Sequence, residues 1–446
     1  AEASRSSTQA VLQAVSLNDG VSISGTNQLL YWVARGAATG YAVRIEYSAD
    51  DGATLNGVVT NLPPATSAYV WNSTGYLSSV LGRWRVVAES DTNVTDASDA
   101  VFALRNGPVY FYVNDGSTSG DVYCSSTGLA TNNGVSVASP VLSLADVFFC
   151  FDVVTRNVVY VDTGVYTNTA TIQMTQLDSG MRSSNAFVTL QGSTNVAAGG
   201  SVLCGLGVTP VLKFYDVEAV SIRDLSVKAD AGIAVGVDQC TGLRFERVQT
   251  SGGTIGFDLA TSSDLKWKES IARNHSSYGL YSRTTTGSDW NQGAFWSNGV
   301  FAVYLATSSA GFSNTIFGAL TEGAGAYLID TYSTLVSEYN SFHLTNGAFL
   351  GQQDINGSAL PFSVQWQNVS RWSRGTGKDI FSLAHDPLFV DAVNSRFQLQ
   401  SVGGRYDPYN ASFTNDDQTS PLLDAGSPVS AFSSEPLPHG DRVNIG

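Results

Sequence analysis

A period of about 23 residues runs through the middle of this chain, and it restricts the fold more than any other feature. Stretches opening at Val220 ("VSIRDLSV"), Leu243 ("LRFERVQT"), Leu265 ("LKWKESIA"), Trp290 ("WNQGAFWS"), Phe312 ("FSNTIFGA") and Leu335 ("LVSEYNSF") follow one another at 23, 22, 25, 22 and 23 residues. Glycines mark a second register before apolar strands, at Gly232, Gly256, Gly279, Gly299, Gly325 and Gly347. Hydroxyl-rich corners mark a third, at Thr261, Thr284, Thr307 and Thr331. Each period holds two clear short strands and a corner, with no helical pattern. At about 3.3 Å per strand residue this is one turn of a coil of parallel strands. The leucine and asparagine pattern of leucine-rich repeats is absent. We expect a right-handed parallel β-helix with six regular turns and less regular earlier ones around "ATIQMT", "FVTLQG" and "VLKFYDV".

The remainder of the 446 residues divides around that coil. Residues 1–105 read as a β-sandwich: "LLYWVARG", "AVRIEYSAD", "SAYVWN" and "GRWRVVAES" are short strands between turn clusters, with Trp32 and Trp84 in the core. The length and strand spacing resemble a fibronectin type III or immunoglobulin-like module. Residues 106–157 hold a strand and one amphipathic helix around Ser143–Val154, with Ser143 as N-cap. They suit an N-terminal cap over the open end of the coil. The coil itself is assigned to 158–384, and 385–446 to a closing segment. The whole is expected to be all-β.

Charged residues make up only 14% of the chain, and Ser, Thr, Asn and Gly take their place, as in extracellular β proteins. The net charge of −15 argues against nucleic acid and anionic membranes as partners. No apolar stretch is long enough to cross a bilayer. With no initiator Met and no signal peptide, the chain reads as a mature or excised piece. Cys124 with Cys150 and Cys204 with Cys240 would bridge in an oxidising compartment; four buried free thiols are the equal alternative. The six N-x-S/T sequons (Asn72, Asn93, Asn274, Asn356, Asn368, Asn410) carry little information in so Asn- and Ser-rich a chain.

Candidate chemistry is sparse. Arg223-Asp224, Glu246-Arg247 and Lys268-Glu269 share two offsets in successive turns. A lyase cleft is one interpretation. Turns about 4.8 Å apart give a simpler one, in which one column runs Arg, Glu, Lys and the next Asp, Arg, Glu, each charge facing its opposite. We expect a structural ladder with no groove beside it. Tyr339 and His343 could form a hydroxyl–imidazole pair with only Glu338 near, and are read as polar coil surface. Asp50 and Asp51 read as a turn. His275 and His439 lie in polar stretches with no partner in view. Trp290, Phe295 and Trp296 read as core stack.

"DPLFVDAVNSRFQLQ", followed by "TSPLLDAGSPVSAFSSEPLPHGDRVNIG", resembles the closing segment of secreted bacterial right-handed β-helix repeat proteins, and "YFYVNDGSTSGDVYC" resembles their opening strand. The resemblance covers roughly Val109 to Gly446. It implies the fold but not one function, since that family spans polysaccharide lyases, epimerases and surface structural proteins. Alginate epimerases use an Asp-Pro-His-Asp tetrapeptide. Here the order is His385-Asp386-Pro387, so the role does not carry over. Asp386 is expected to cap a turn, and Asp391 to bond backbone.

The sequence therefore leads us to expect no catalytic, cofactor or metal residues, and a non-enzymatic extracellular or cell-surface module. Such a unit would repeat in tandem and assemble head-to-tail into a filament, with Arg442–Gly446 reaching Ala1–Thr8 of the next copy. A lyase or epimerase of acidic polysaccharide and a glycan-binding adhesin are the alternatives.

Overall fold

The computed structural model describes residues 9–354, 363–432 and 440–446. The chain forms two compact units, Ala1–Tyr110 and Phe111–Gly446. The first is a β-sandwich. Val11–Ala14, Gln28–Arg35 and Ala68–Trp71 form one antiparallel sheet. Ser22–Ile23, Phe102–Leu104, Ser79–Ala88, Val43–Ser48 and Asn56–Leu62 form the other, with Thr95–Ala97 beside Ser79–Ala88. Alternation decides what is buried: Leu30 and Trp32 face inward, while Leu29 and Tyr31 between and before them are exposed. Trp32 and Trp84 lie in the core with Tyr47, Trp71 and Phe102, as the sequence suggests.

The second unit is a parallel β-solenoid of about seven turns. Each turn has three strand segments rather than two. Early turns keep the first two separate, as in Val220–Arg223 and Leu225–Ala229. Later turns fuse them into eleven-residue strands, Ser263–Arg273, Thr286–Trp296 and Ser309–Ala319. The third segments stack in a separate sheet from Ile172–Met174 to Phe349–Asp354.

Left-handed residues make the corners. Asp224, Arg247, Glu269, Gln292, Asn314 and Tyr339 all have φ between +52° and +57°. They bend the chain between the first two segments and form one column. A second column, Gln239, Thr261, Thr284 and Thr307, turns the chain out of the third sheet. The hydroxyl-rich corners are explained here. Oγ of Ser308 donates to the carbonyl of Ala306 and accepts the N–H of Thr285 in the preceding turn. Ser262 does the same with Ala260 and Cys240. Buried corner amides are thereby satisfied by the next turn.

Inside, aromatic rings stack along the axis. Phe245, Trp267 and Trp290 lie 5.1 and 5.3 Å apart and within 14° of parallel. Phe295, Phe317 and Phe342 form a second stack at 5.4 and 5.2 Å.

The pairing corrects the register read from sequence. Trp290 pairs with Trp267, not Leu265, and Phe312 pairs with Ser337, not Leu335. Both errors are shifts of two residues, which leave every side chain on its own face. The six glycines do not form one column either: Gly325 pairs with Phe301, whereas Gly299 lies two residues before that strand position.

The ends are closed by polar anchors. The N-terminal helix covers only Leu144–Cys150, with Ser143 Oγ accepting the N–H of Ala145. It stops short of Val154 because Phe151 turns extended and packs on Phe111. At the other end a parallel bridge from Ser341 to Leu383 carries the coil close to residue 384, and the parallel stack of the third sheet finishes at Phe349–Asp354. Ser363–Trp366 pairs antiparallel with that strand, and a helix that the sequence reading missed, Val369–Thr376, follows. Asn368 caps its start, Gly377 its end, and Trp372 is buried beneath it. The closing segment then lies along the side of the coil. Leu422 and Ile445 pack on Ala294 and Ile316, which stack in successive turns.

Candidate functional site

The outward face of the first strand segments is where the sequence concentrates charge. Arg223, Glu246, Lys268, Asn291, Ser313 and Glu338 form one column of this face. Ser221, Arg244, Lys266, Asp289, Gly311 and Val336 form the parallel one. Much of the pairing expected from the offsets is present, though among the described residues no ion pair joins Glu246 to Lys268 or Arg223 to Asp224. Arg223 reaches Glu246 at 3.5 Å, and Arg247 reaches Asp224 at 2.6 Å, Glu246 at 2.5 Å and Glu269 at 3.6 Å. Lys268 reaches Glu269 at 3.1 Å. The hydrogen bond to Asp224, only partly opposed by burial, pushes the Arg247 guanidinium further up from an already high value.

A second cluster, not anticipated, lies one corner away. Asp264 receives Arg244 and Arg182, each at 3.0 Å. Burial works against its charge, but Arg244 first and then Arg182 and Lys266 outweigh it and hold Asp264 below the usual carboxylate range.

The expectation of no groove is corrected. An open depression of about 660 Å³ runs beside the ladder, lined by Arg223, Glu246 and Lys268 on the sheet and by Arg156 and Phe187 from the flanking loop. A second, of about 420 Å³, continues over Gly311, Ser313 and Glu338. Asp289 and Asn291 line both. The loop residues Arg156 and Asn185–Phe187 supply the first depression's other side. Nothing in the 23-residue repeat pattern encodes it.

On this face the carboxylates Glu246 and Glu269 are both ion-paired, and Glu338 accepts the backbone N–H of Phe381 at 3.2 Å. Tyr339 is the corner residue and His343 lies in the strand that follows, Ser341–Leu344, and the two serve different contacts. Tyr339 stacks on Phe381 at 5.2 Å with Arg442 over it, and His343 stacks on Trp296 at 5.6 Å. Tyr339 meets the closing segment through Arg442, and His343 packs on a coil ring that itself meets that segment, so neither is free coil surface. Trp296 is likewise half-buried against Phe389 at 4.9 Å, whereas Trp290 and Phe295 are core, as expected.

The remaining candidates fall into local structure. Asp386 accepts the N–H of Leu388 at 2.9 Å and Asp391 that of Asn394 at 3.1 Å, both turn contacts. His385 is exposed beside them. Asp50 accepts from Ser48 and Thr54, and Asp51 pairs with Arg83. His439 lies outside the described residues. His275 does have partners: its Nδ1 meets the carbonyl of Gly252 and its Nε2 lies 3.1 Å from Thr250 Oγ1. Burial pulls its value down to about 4, so the ring is neutral at pH 7. The four cysteines are free, and only Cys240 is buried. Among the described residues no three His, Cys, Asp or Glu side chains gather as a metal site, and no helix is long and apolar enough to cross a membrane.

Among the buried carboxylates that the sequence reading did not single out, two stand near the ends of the coil. Asp162 accepts four backbone N–H groups, from Val122, Tyr123, Cys124 and Thr163, at 2.6–2.8 Å. Asp379 accepts from Ser337, Asn340, Ser382 and Trp372 at 2.7–3.1 Å. Each anchors one end of the coil. Their donors come from stretches up to 42 residues away, so no local spacing reveals them. No family model matches the chain, and no curated protein matches it.

Proposed function

We propose that the chain is a non-catalytic structural module of an extracellular or cell-surface tandem-repeat protein. The observation that carries this reading is the ladder itself: the exposed charges of the first sheet are engaged with one another. Ionised, mutually paired groups make weak general acids and bases. The low content of charged residues and the hydroxyl-rich surface suit an extracellular setting, and the module needs no cofactor. Incubation with alginate and pectate, followed by absorbance of unsaturated uronate, tests it. No release is expected. Release abolished by Lys268→Ala or Glu246→Gln overturns the reading in favour of a lyase.

Glycan adhesion without catalysis is the second reading, and the open groove over Asp289 and Asn291 favours it. Assembly of neighbouring copies head-to-tail is part of the proposal, but not through Arg442–Gly446. Val443 and Ile445 are fully buried in their own unit, and Arg442 donates to the carbonyl of Gly426. Ala1–Thr8 lie outside the described residues. Electron microscopy of native material distinguishes an axial repeat from isolated units.

A further inference from the structure

The two ends of the solenoid differ in the sign of their charge. At the start, the helix Leu144–Cys150 lies beside Ile172–Met174, the first strand of the third sheet. Leu144 and Val147 are its buried residues. Phe149, two positions beyond Val147, falls on the opposite side of the helix and is 90% exposed. The N–H of Val153 donates to Asp178 at 3.2 Å. This ties the stretch around Asp152 to Leu177, which is itself more than half exposed. Within 141–155 the only charged residues are Asp146 and Asp152.

At the far end, the helix Val369–Thr376 lies against Phe349–Asp354 and Ser363–Trp366, the last strands of the same sheet. Ile380 and Phe381 follow it, each more than half exposed. The charged residues of 363–383 are Arg371, Arg374, Lys378 and Asp379, and Asp379 is buried among its own donors. This end therefore presents cations alone.

Asp146, Asp152, Arg371, Arg374 and Lys378 have no ion-pair partner among the described residues, whereas the ladder charges Asp224, Glu246 and Glu269 are all engaged within the chain. Large exposed apolar side chains beside unpaired charge mark a surface that another molecule covers. A partner of uniform charge would satisfy one end and leave the other bare. A second copy satisfies both with a single contact, because each end is the electrostatic complement of the other. We propose that the C-terminal end of one copy docks on the N-terminal cap of the next, with Arg371, Arg374 and Lys378 meeting Asp146 and Asp152 around Phe149, Leu177, Ile380 and Phe381. This rests on the head-to-tail assembly above and names its two surfaces. They differ, so the contact is heterologous and continues into a row.

Sedimentation velocity of the whole chain over a rising concentration series tests the contact. Association should grow with concentration and weaken at high salt. Arg371→Glu with Arg374→Glu should weaken it by about tenfold or more, and so should Asp146→Lys with Asp152→Lys. Mixing the two charge-reversed proteins should restore association, which damage to either fold would not do. Phe149→Ser, at an almost fully exposed position, should weaken association with melting unchanged, and it stands in should Asp146→Lys unfold the helix. The proposal is overturned if the folded variants associate as the parent does, or if the parent stays single at every concentration. An axial repeat in electron micrographs alongside unaffected variants would keep head-to-tail assembly and discard this contact. Isolated units in the micrographs would discard both.

Discussion

The side-chain oxygen of Asn314 accepts the backbone N–H of Ser427 at 2.6 Å, across 113 residues of chain. Its own carbonyl accepts Gly446 at 2.8 Å, and its amide donates to Asn291 and Ser430. Asn314 continues the corner column that holds the exposed or half-exposed Asp224, Arg247 and Glu269. Where the closing segment docks, the column therefore changes to a fully buried amide.

Asn314→Ala removes that hub and also puts Ala at φ +52°, a region Asn tolerates better than Ala. A loss of about 2–4 kcal/mol of docking stability is expected. Limited proteolysis should then cut between Ser420 and Gly446 at least tenfold faster, while the solenoid resists. An unchanged cleavage rate would refute the hub.

His275 gives the coil a pH dependence of defined sign. Its folded value, about 4, lies below the ordinary 6.5. The unfolded chain therefore takes up a proton near pH 6.5 that the folded chain refuses until about 4. The associated stability is fully present above pH 6.5 and is lost as the pH falls from there towards 4, on the order of 3 kcal/mol. Urea titrations at pH 7, 5.5 and 4.5 should show this slope, and His275→Gln should lower stability at pH 7 while flattening the slope by one proton. An equal slope in the variant would count against the neutral ring.

Trp267 separates two effects that act together in a core. Its indole N–H is buried with no partner among the described residues. Trp267→Ala opens a cavity between Phe245 and Trp290 and should cost about 3–5 kcal/mol. Trp267→Phe keeps a stacked ring and removes the unmet donor, so it should cost no more than about 1 kcal/mol. Thermal melts of both variants are the measurement. Equal losses would show that ring size alone governs the stack.

Removing Asp379 takes the acceptor from the Trp372 indole N–H and from the hydroxyls of Ser337 and Ser382 inside the C-terminal end, while the Asn340 amide keeps the Phe312 carbonyl. Asp379→Ala should cost about 2–4 kcal/mol. Hydrogen exchange should rise first in Val369–Thr376 and Phe349–Asp354. Uniform exchange across the solenoid would falsify its role as a local anchor.

By contrast Arg247→Gln should cost no more than about 1 kcal/mol, and less at high salt, because the ladder is partly exposed. A larger, salt-independent loss would mean that the ladder holds the corner itself.

The solenoid was legible because a repeat multiplies a weak local signal. Interior and exterior alternate, and the corners recur. Register was legible only to within two residues: a shift from Leu265 to Trp267 keeps the same face buried, so apolar patterning is indifferent to it. The ladder of Arg223, Glu246 and Lys268 was legible because all three lie in the regular turns. The groove was not, since its wall at Asn185–Phe187 belongs to an irregular early turn. Asp162, Asp379 and Asn314 stayed hidden for another reason. Each is defined by donors brought together by the completed coil, and a lone Asp or Asn in a Ser-rich chain looks like any turn residue. The partners of His275 come from the preceding turn in the same way.

Successive turns advance by unequal steps, 23 residues from Trp267 to Trp290, 22 on to Phe312 and 25 on to Ser337, yet the columns stay aligned. The surplus is absorbed between strands, so each turn presents the same upper and lower edge whatever its length. For inheritance this makes a whole turn a transferable unit. Duplicating or deleting the coding stretch for one turn joins edges that already fit. Over generations such a lineage can lengthen or shorten its rod turn by turn while the anchors at Asp162 and Asp379 continue to mark where it starts and stops.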